Sequence, residues 1–273
     1  MNDASVSSAG IQQESLYKHS SLVVALARRE IEARYKGSLL GLGWYVIQTL
    51  LTLAIFSFVF GTLLRARWAE TGQEPINFTM ALFIGLLVYN LFSEAVGRAP
   101  TLIVSNAQYV KKLVFPLYVL PVVAMLVALF NLAVGVVVFL GMAAVLQVGL
   151  HWTGLWVPLL LVPFVVLTLG LTWFLASLGT FVRDTAQATG LVVTMLMFLS
   201  PLFYPSTTLP EEFRSWIWLN PLTFPMEQSR RALLFGDAPD PWSLAAYTIV
   251  AIVVAALGYL WFSRTRKAFA DVL

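Results

Sequence analysis

The chain has no cysteine. Disulfides, thiolate nucleophiles and cysteine–zinc sites are thereby excluded. It has two histidines, His19 and His151, too few and too far apart in sequence to suggest a metal cluster. Charge is scarce: 11% of the 273 residues are Asp, Glu, Lys or Arg, against about 25% in an ordinary soluble domain. From Leu113 to Val182, a run of 70 residues, there is none. A soluble chain must repeatedly bring polar faces to water. A soluble enzyme, a disordered chain and a disulfide scaffold are therefore excluded. Also missing are the GxxxxGK[ST] phosphate loop and the GxSxG, HExxH and EF-hand patterns. No carboxylate or histidine sits mid-span, where proton or sodium coupling would need one. What the chain has in plenty is apolar: 59% hydrophobic and 14% aromatic residues. The fold class that remains is all-α, a polytopic membrane protein.

A helix needs roughly 20 apolar residues to cross the hydrocarbon core. Six stretches qualify, near 42–64, 78–96, 117–146, 155–181, 189–204 and 244–262. The uncharged run holds two of them, because Gln147 to Gly154 supplies turn residues and a polar break. Trp152 and Trp156 suit an interfacial aromatic belt. With the N-terminus inside, 12 Lys and Arg fall on the cytoplasmic side and 5 outside, of 17 in all. The positive-inside rule then places both termini in the cytoplasm. Residues 1–20 read as a mobile cytoplasmic tail, with no apolar core of a signal peptide.

Residues 21–36 read as an amphipathic helix. Val23, Ala27, Ile31 and Tyr35 recur at four-residue spacing, and Arg28, Glu32 and Lys36 form a parallel charged stripe. Such a helix suits a membrane surface, either as a docking element or as a plain anchor for the first span. Glu94 and Arg98 stand at i, i+4 near the end of the second span and are expected to pair. The segment from Pro205 to Trp242 is too apolar for a solvated loop. Pro210-Glu211-Glu212 and Asn220-Pro221 punctuate short helices at 210–220 and 225–236, with Glu227 facing Arg230 or Arg231. Two short helices that dip into the outer face fit this pattern; two that lie flat on it fit as well.

On a helical wheel the first span gathers Tyr45, Gln48, Thr49, Thr52, Phe56 and Phe60 on one face. The fifth gathers Gly190, Thr194, Met197, Phe198 and Pro201. Aromatic faces stack on sugar rings, and neutral donors and acceptors serve hydroxyls. The same residues also suit ordinary helix–helix packing.

The ordered motifs resemble the membrane subunits of ABC-2 type polysaccharide exporters, the permeases for O-antigen, teichoic acid and capsule. Leu26 to Trp44 is similar to that family's N-terminal block, with Arg34-Tyr35, Gly37-Ser38, Leu40-Gly41 and Trp44. Asn106 to Pro116 resembles its segment after the second span, and Phe181 to Asp184 its Arg-Asp turn. Ser200 to Pro205 and Asn220 to Arg230 resemble its outer gate. The resemblance covers 21–273 as one transmembrane domain. It implies a channel formed with a second copy of the chain and lined by Tyr45, Gln48, Thr52, Phe56, Phe60, Thr194 and Phe198. It implies two copies of a separate ATPase subunit, docked through Arg28, Glu32, Arg34, Asn106, Lys111, Lys112, Arg183 and Asp184. It implies an outer gate of Pro201, Tyr204, Trp216, Asn220, Pro221, Glu227 and Arg230. The cargo implied is an undecaprenyl-type lipid-linked glycan, and the place is the bacterial inner membrane, among lipid and without nucleic acid. ATP and magnesium would bind the partner, with no catalysis, metal or cofactor on this chain. Two alternatives stay open: export of a drug or other small amphiphile on the same fold, and an ion-coupled carrier.

Overall fold

The computed structural model of the chain describes residues 20–36, 40–63, 75–110, 115–206 and 210–273, without the side chains of 61–63, 75–77 and 213–215. The N-terminal tail, Gly37-Ser38, Lys111 and Lys112 lie outside the described residues. Every regular element described is helical, with no strand among the described residues. Helix α1 covers 20–35. Helix α2, Gly43–Phe56, runs on into a π-helical turn at Ser57–Leu63. Helix α3 is Pro75–Arg98, followed by 3-10 turns at Ala99–Thr101 and Val104–Asn106. Helices α4, Val119–Val145, and α5, Val157–Phe181, share the uncharged run. Then come α6, Thr185–Leu199, α7, Glu211–Ile217, α8, Thr223–Arg230, and α9, Pro241–Thr265.

Local chemistry sets these ends. Gln147 takes a left-handed conformation, φ 54°. The N–H of Val148 then reaches back to Ala143 O at 3.0 Å, and that of Gln147 to Ala144 O at 3.3 Å. This closes α4 with a Schellman-type turn, in which glutamine occupies the usual glycine position. Asp240 caps α9 by accepting from Ser243 N at 3.0 Å and Trp242 N at 3.3 Å. The Ser243 hydroxyl and amide, which favour the anion, hold the Asp240 carboxyl below its ordinary range.

Five helices are long and apolar enough to cross a membrane; α6 is apolar but has 15 residues, a rise of about 22 Å. The sequence pattern runs this span from Thr189 to Tyr204. The structure starts it at Thr185 and stops it at Leu199. Ser200 is extended, with ψ 156°, because the residue before a proline is driven out of the α region.

Helix α3 is the hub. In its most apolar stretch 72% of residues are buried, against 11% in those of α2 and α9. Phe83 meets Phe139 of α4, and Phe92 meets Phe164 of α5. Helices α5 and α9 touch backbone to backbone. A Cβ at Gly258 would fall on the Gly170 carbonyl, and one at Gly170 would lie 2.5 Å from Ala255 Cα. Small residues permit this approach, which replaces the hydrophobic drive that lipid does not provide between helices. Ser177 and Thr265 join the same pair by a hydroxyl–hydroxyl bond of 2.6 Å. Gly258→Ala is therefore expected to cost about 1–3 kcal/mol. It should lower the thermal unfolding midpoint in detergent, while Gly141→Ala, whose Cβ meets open space, should leave it unchanged.

Candidate functional site

At one end of the bundle α1 lies across α3 and α4. Its buried Ala27 packs on Val119 and Val123. Arg34 pairs with Glu94, and Arg98 pairs with Glu30. Glu94 and Arg98 thus do not pair with each other, as their spacing suggested. Helix α1 covers the α3 face that carries both, and it offers each an opposite charge where water is partly excluded and attraction is stronger. Asn131, 2% exposed in the middle of α4, extends the network. Its amide donates to both Glu94 oxygens, at 2.9 and 2.7 Å, and its carbonyl accepts from the Tyr35 hydroxyl at 2.9 Å. Partial burial disfavours the Arg34 cation. The Glu94 hydrogen bond and charge outweigh that, so the guanidinium titrates above its ordinary value.

The other residues expected to dock an ATPase at this end are placed as follows. Arg28 and Glu32 pair along α1 at 2.7 Å and are exposed. Asn106 is half-buried and donates to Leu102 O at 2.9 Å. Arg183 and Asp184 are exposed in the turn before α6. Arg34 is turned inward onto Glu94.

At the opposite, distal end the organising residue is Arg230, on the last turn of α8 and 0% exposed. Its guanidinium donates to three main-chain carbonyls: Ala81 O at 2.7 Å, Leu202 O at 3.1 Å and Pro201 O. These belong to the start of α3 and to the turn after α6. Glu227, placed by the sequence pattern opposite Arg230 or Arg231, accepts the Ser206 N–H at 3.2 Å. Arg231 pairs with Asp237 at 3.1 Å. Burial lowers the Arg230 guanidinium to about 10, partly offset by the Glu227 charge, so it stays protonated at neutral pH. Gly85 makes room for it, since a Cβ there would collide with Arg230 Nη2 and lie 2.6 Å from Leu202 Cδ1. Asn220 ties the α7–α8 corner to the end of α6, donating to Ser200 Oγ at 2.9 Å while accepting from Leu222 N at 3.0 Å. Tyr247 of α9 donates to Pro221 O at 2.8 Å, and Tyr204 to Phe198 O at 3.3 Å. Of the residues expected at an outer gate, only Trp216 stands apart, 71% exposed.

Between the two ends, the first span meets the end of α6 through aromatic rings. Phe203 stacks on Phe60 at 4.1 Å and meets Phe56 edge-on at 5.2 Å. Phe198 tilts against the same ring at 5.8 Å. Three of the four were expected on sequence grounds. Phe203, 5% exposed, was missed because the sequence pattern carried the helix on to Tyr204 and so put this ring on the opposite face; the helix ends at Leu199 and the turn redirects it. Tyr45 and Thr52 are half-buried, whereas Gln48 and Thr194 are exposed. The Thr194 hydroxyl returns to Gly190 O at 2.9 Å. Around Gln48 and Thr194 the exposed surface is apolar: Leu51, Ile55, Phe58, Leu191, Met195 and Phe198. An amide such as that of Gln48 is costly against hydrocarbon. This face therefore calls for water or another protein surface. A cavity of about 450 Å³ opens beside α6, lined among others by Phe92, Leu175, Thr189 and Val193, although Val193 itself packs into the core.

The sequence profile of the ABC-2 type transporter family matches residues 21–234, from α1 through α8. The chain is 27% identical over 258 residues to the O-antigen export system permease protein RfbA of Myxococcus xanthus, covering 94% of this chain and 96% of the relative. It is 28% identical over 255 residues to the protein of that name from Klebsiella pneumoniae, covering 92% and 95%. It is 24% identical over 258 residues to the polysialic acid transport protein KpsM of Escherichia coli, covering 90% and 93%.

Proposed function

The chain belongs to the ABC-2 type transporter family, and from that premise we propose that it is the permease subunit of an ATP-driven exporter. Its cargo is a lipid-linked polysaccharide, of O-antigen type on an undecaprenyl-type carrier. The observation that carries this reading is the end-to-end match with permeases named for O-antigen export. The aromatic cluster beside Gln48 and Thr194 supports it, because rings and neutral polar groups suit sugars. Two copies form the pathway, with α2 and α6 of each facing the other, which removes Gln48 from lipid. All six apolar helices cross the bacterial inner membrane, α6 together with the turn that follows it. Both termini are cytoplasmic, so α1 and the Arg183-Asp184 turn meet two copies of an ATPase subunit that holds ATP and magnesium. This chain transports and does not catalyse. Helices α7 and α8 re-enter the outer face as a gate.

Deleting the gene tests the reading. Polymer should accumulate inside the cell and return to the surface on complementation, and the tagged chain should co-purify with an ATP-binding subunit. Surface polymer unchanged by the deletion would sink the proposal. Phe198→Ala probes the lining separately. Phe198 is 56% exposed, so its loss should spare the fold and the ATPase assembly. Export should fall roughly three- to tenfold, the worth of one ring contact. Unchanged export would remove α6 from the pathway.

A further inference from the structure

A polar pocket lies at the α1 end, remote from the aromatic cluster. It encloses about 270 Å³ between α1 and the turns after α3. Arg29 and Arg98 face it together with a single carboxylate, Glu30, and with Thr101, Ser105 and Tyr109. The donors are unequally used. Arg98 gives Nη2 to Glu30. Its Nη1 is buried and has no hydrogen-bond partner among the described residues. Arg29 gives one Nη2 bond of 2.8 Å to the Tyr109 hydroxyl and is otherwise exposed. Thr101 and Ser105 spend their protons on the carbonyls of Arg98 and Thr101. Asn106 gives its amide to Leu102 O and Ser105 Oγ. The two guanidinium groups are the cationic donors of the pocket.

Two guanidinium groups thus face the pocket against one carboxylate, and Arg98 already holds it. Water would solvate the second cation and leave the excess positive charge in place. A compact anion supplies the missing counter-charge, and the guanidinium fork matches phosphate oxygens. The surroundings agree in sign: α1 and its last turn carry Arg28, Arg29, Arg34 and Lys36 against Glu30 and Glu32. So does the height. Helix α1 rests on the first turns of α4 through Ala27, Val119 and Val123, which sets the pocket at the ends of the spans, where lipid headgroups lie.

We infer that this pocket binds a phosphate ester through Arg29 and Arg98. The ester is the headgroup of an anionic phospholipid in the leaflet on which α1 lies, or a small soluble ester of the same chemistry. The test uses the purified full chain in micelles carrying phosphatidylglycerol or phosphatidylcholine, with retained lipid read by native mass spectrometry. A second arm adds glycerol 3-phosphate to phosphatidylcholine micelles. Phosphatidylglycerol should be retained about tenfold more strongly than phosphatidylcholine, the worth of a charge-assisted hydrogen bond. Arg29→Gln and Arg98→Gln should each abolish that preference. Arg264→Gln, the same charge change at an exposed position on α9, should keep it. Binding of the soluble ester that depends on both arginines, with no lipid preference, would assign the soluble source. Equal retention of both lipids with no ester bound would overturn the inference and leave a water-filled pocket. So would a preference that survives Arg29→Gln or falls equally with Arg264→Gln. Arg29→Gln decides the matter if Arg98→Gln, which also loses the Glu30 pair, fails to fold.

Discussion

Arg230→Met is expected to unfasten the distal end of the bundle and abolish export. The substitution keeps most of the side-chain volume, so packing is nearly conserved. What it removes is the donor shared by three main-chain carbonyls from two separate segments. Ala81 lies inside α3, where a helical partner remains available. Pro201 and Leu202 lie in the turn after α6, and no other donor reaches their carbonyls among the described residues. Leaving two buried acceptors unsatisfied costs about 1–3 kcal/mol each. Some of that is returned, since methionine does not carry the desolvation cost of a buried cation. A net loss of about 2–4 kcal/mol follows, read as a large fall in the unfolding midpoint in detergent. Arg230→Lys should recover part of the loss, because an ammonium keeps the charge but cannot span three divergent carbonyls. Gly85 supplies the internal control. Gly85→Ala should be damaging beside Arg230, whose Nη2 its Cβ would meet, and milder in the Arg230→Met background. An equal effect in both backgrounds would show that the glycine serves something other than the clasp.

The sequence could not disclose this clasp, and the reason is physical. Hydropathy reports how long a segment stays apolar, which is why the spans were legible to within a few residues at most ends. It says nothing about which of the five cations expected outside leaves water. Arg230 and Arg231 look alike in sequence, yet one is fully buried and the other pairs with Asp237 at the surface. Charge pairing shows the same bias. Spacing sees partners three or four residues away, so it matched Glu94 with Arg98. The partner chosen by the fold is Arg34, 60 residues away, brought there by the packing of Ala27 on α4. The aromatic cluster was legible where residues stood on a regular helix, at Phe56, Phe60 and Phe198. It was illegible at Phe203, where the helix had already broken. Helix type and face are local properties; burial of a lone charge and closure of a cluster across a break are not.

Glu94→Gln is the second change expected to have a large effect, and its effect is on coupling rather than on folding. The pair it belongs to is partly screened, with side-chain exposures of 35% for Arg34 and 15% for Glu94. Its loss therefore costs less than that of a fully buried pair. The second ion pair, Arg98–Glu30, and the packing of Ala27 still hold α1 in place. What disappears is the rigid path from α1 through Glu94 to Asn131 in the middle of α4. A glutamine has one carbonyl where the carboxylate offered two oxygens to Arg34 and Asn131, and its amide adds a donor among donors. If motion of an ATPase reaches the spans through α1, ATP hydrolysis should continue while export falls about 5- to 100-fold, the usual range of a coupling energy. Arg34→Gln should give the same split. The double variant should be no worse than the poorer single one, because both remove one interaction. Tyr35→Phe, which deletes the hydroxyl contacts to Asn131 and Arg34 but leaves the ion pair itself, should be milder. Hydrolysis and export falling together would instead mark Glu94 as a support for docking, and additive losses would mean that Arg34 and Glu94 act on separate routes.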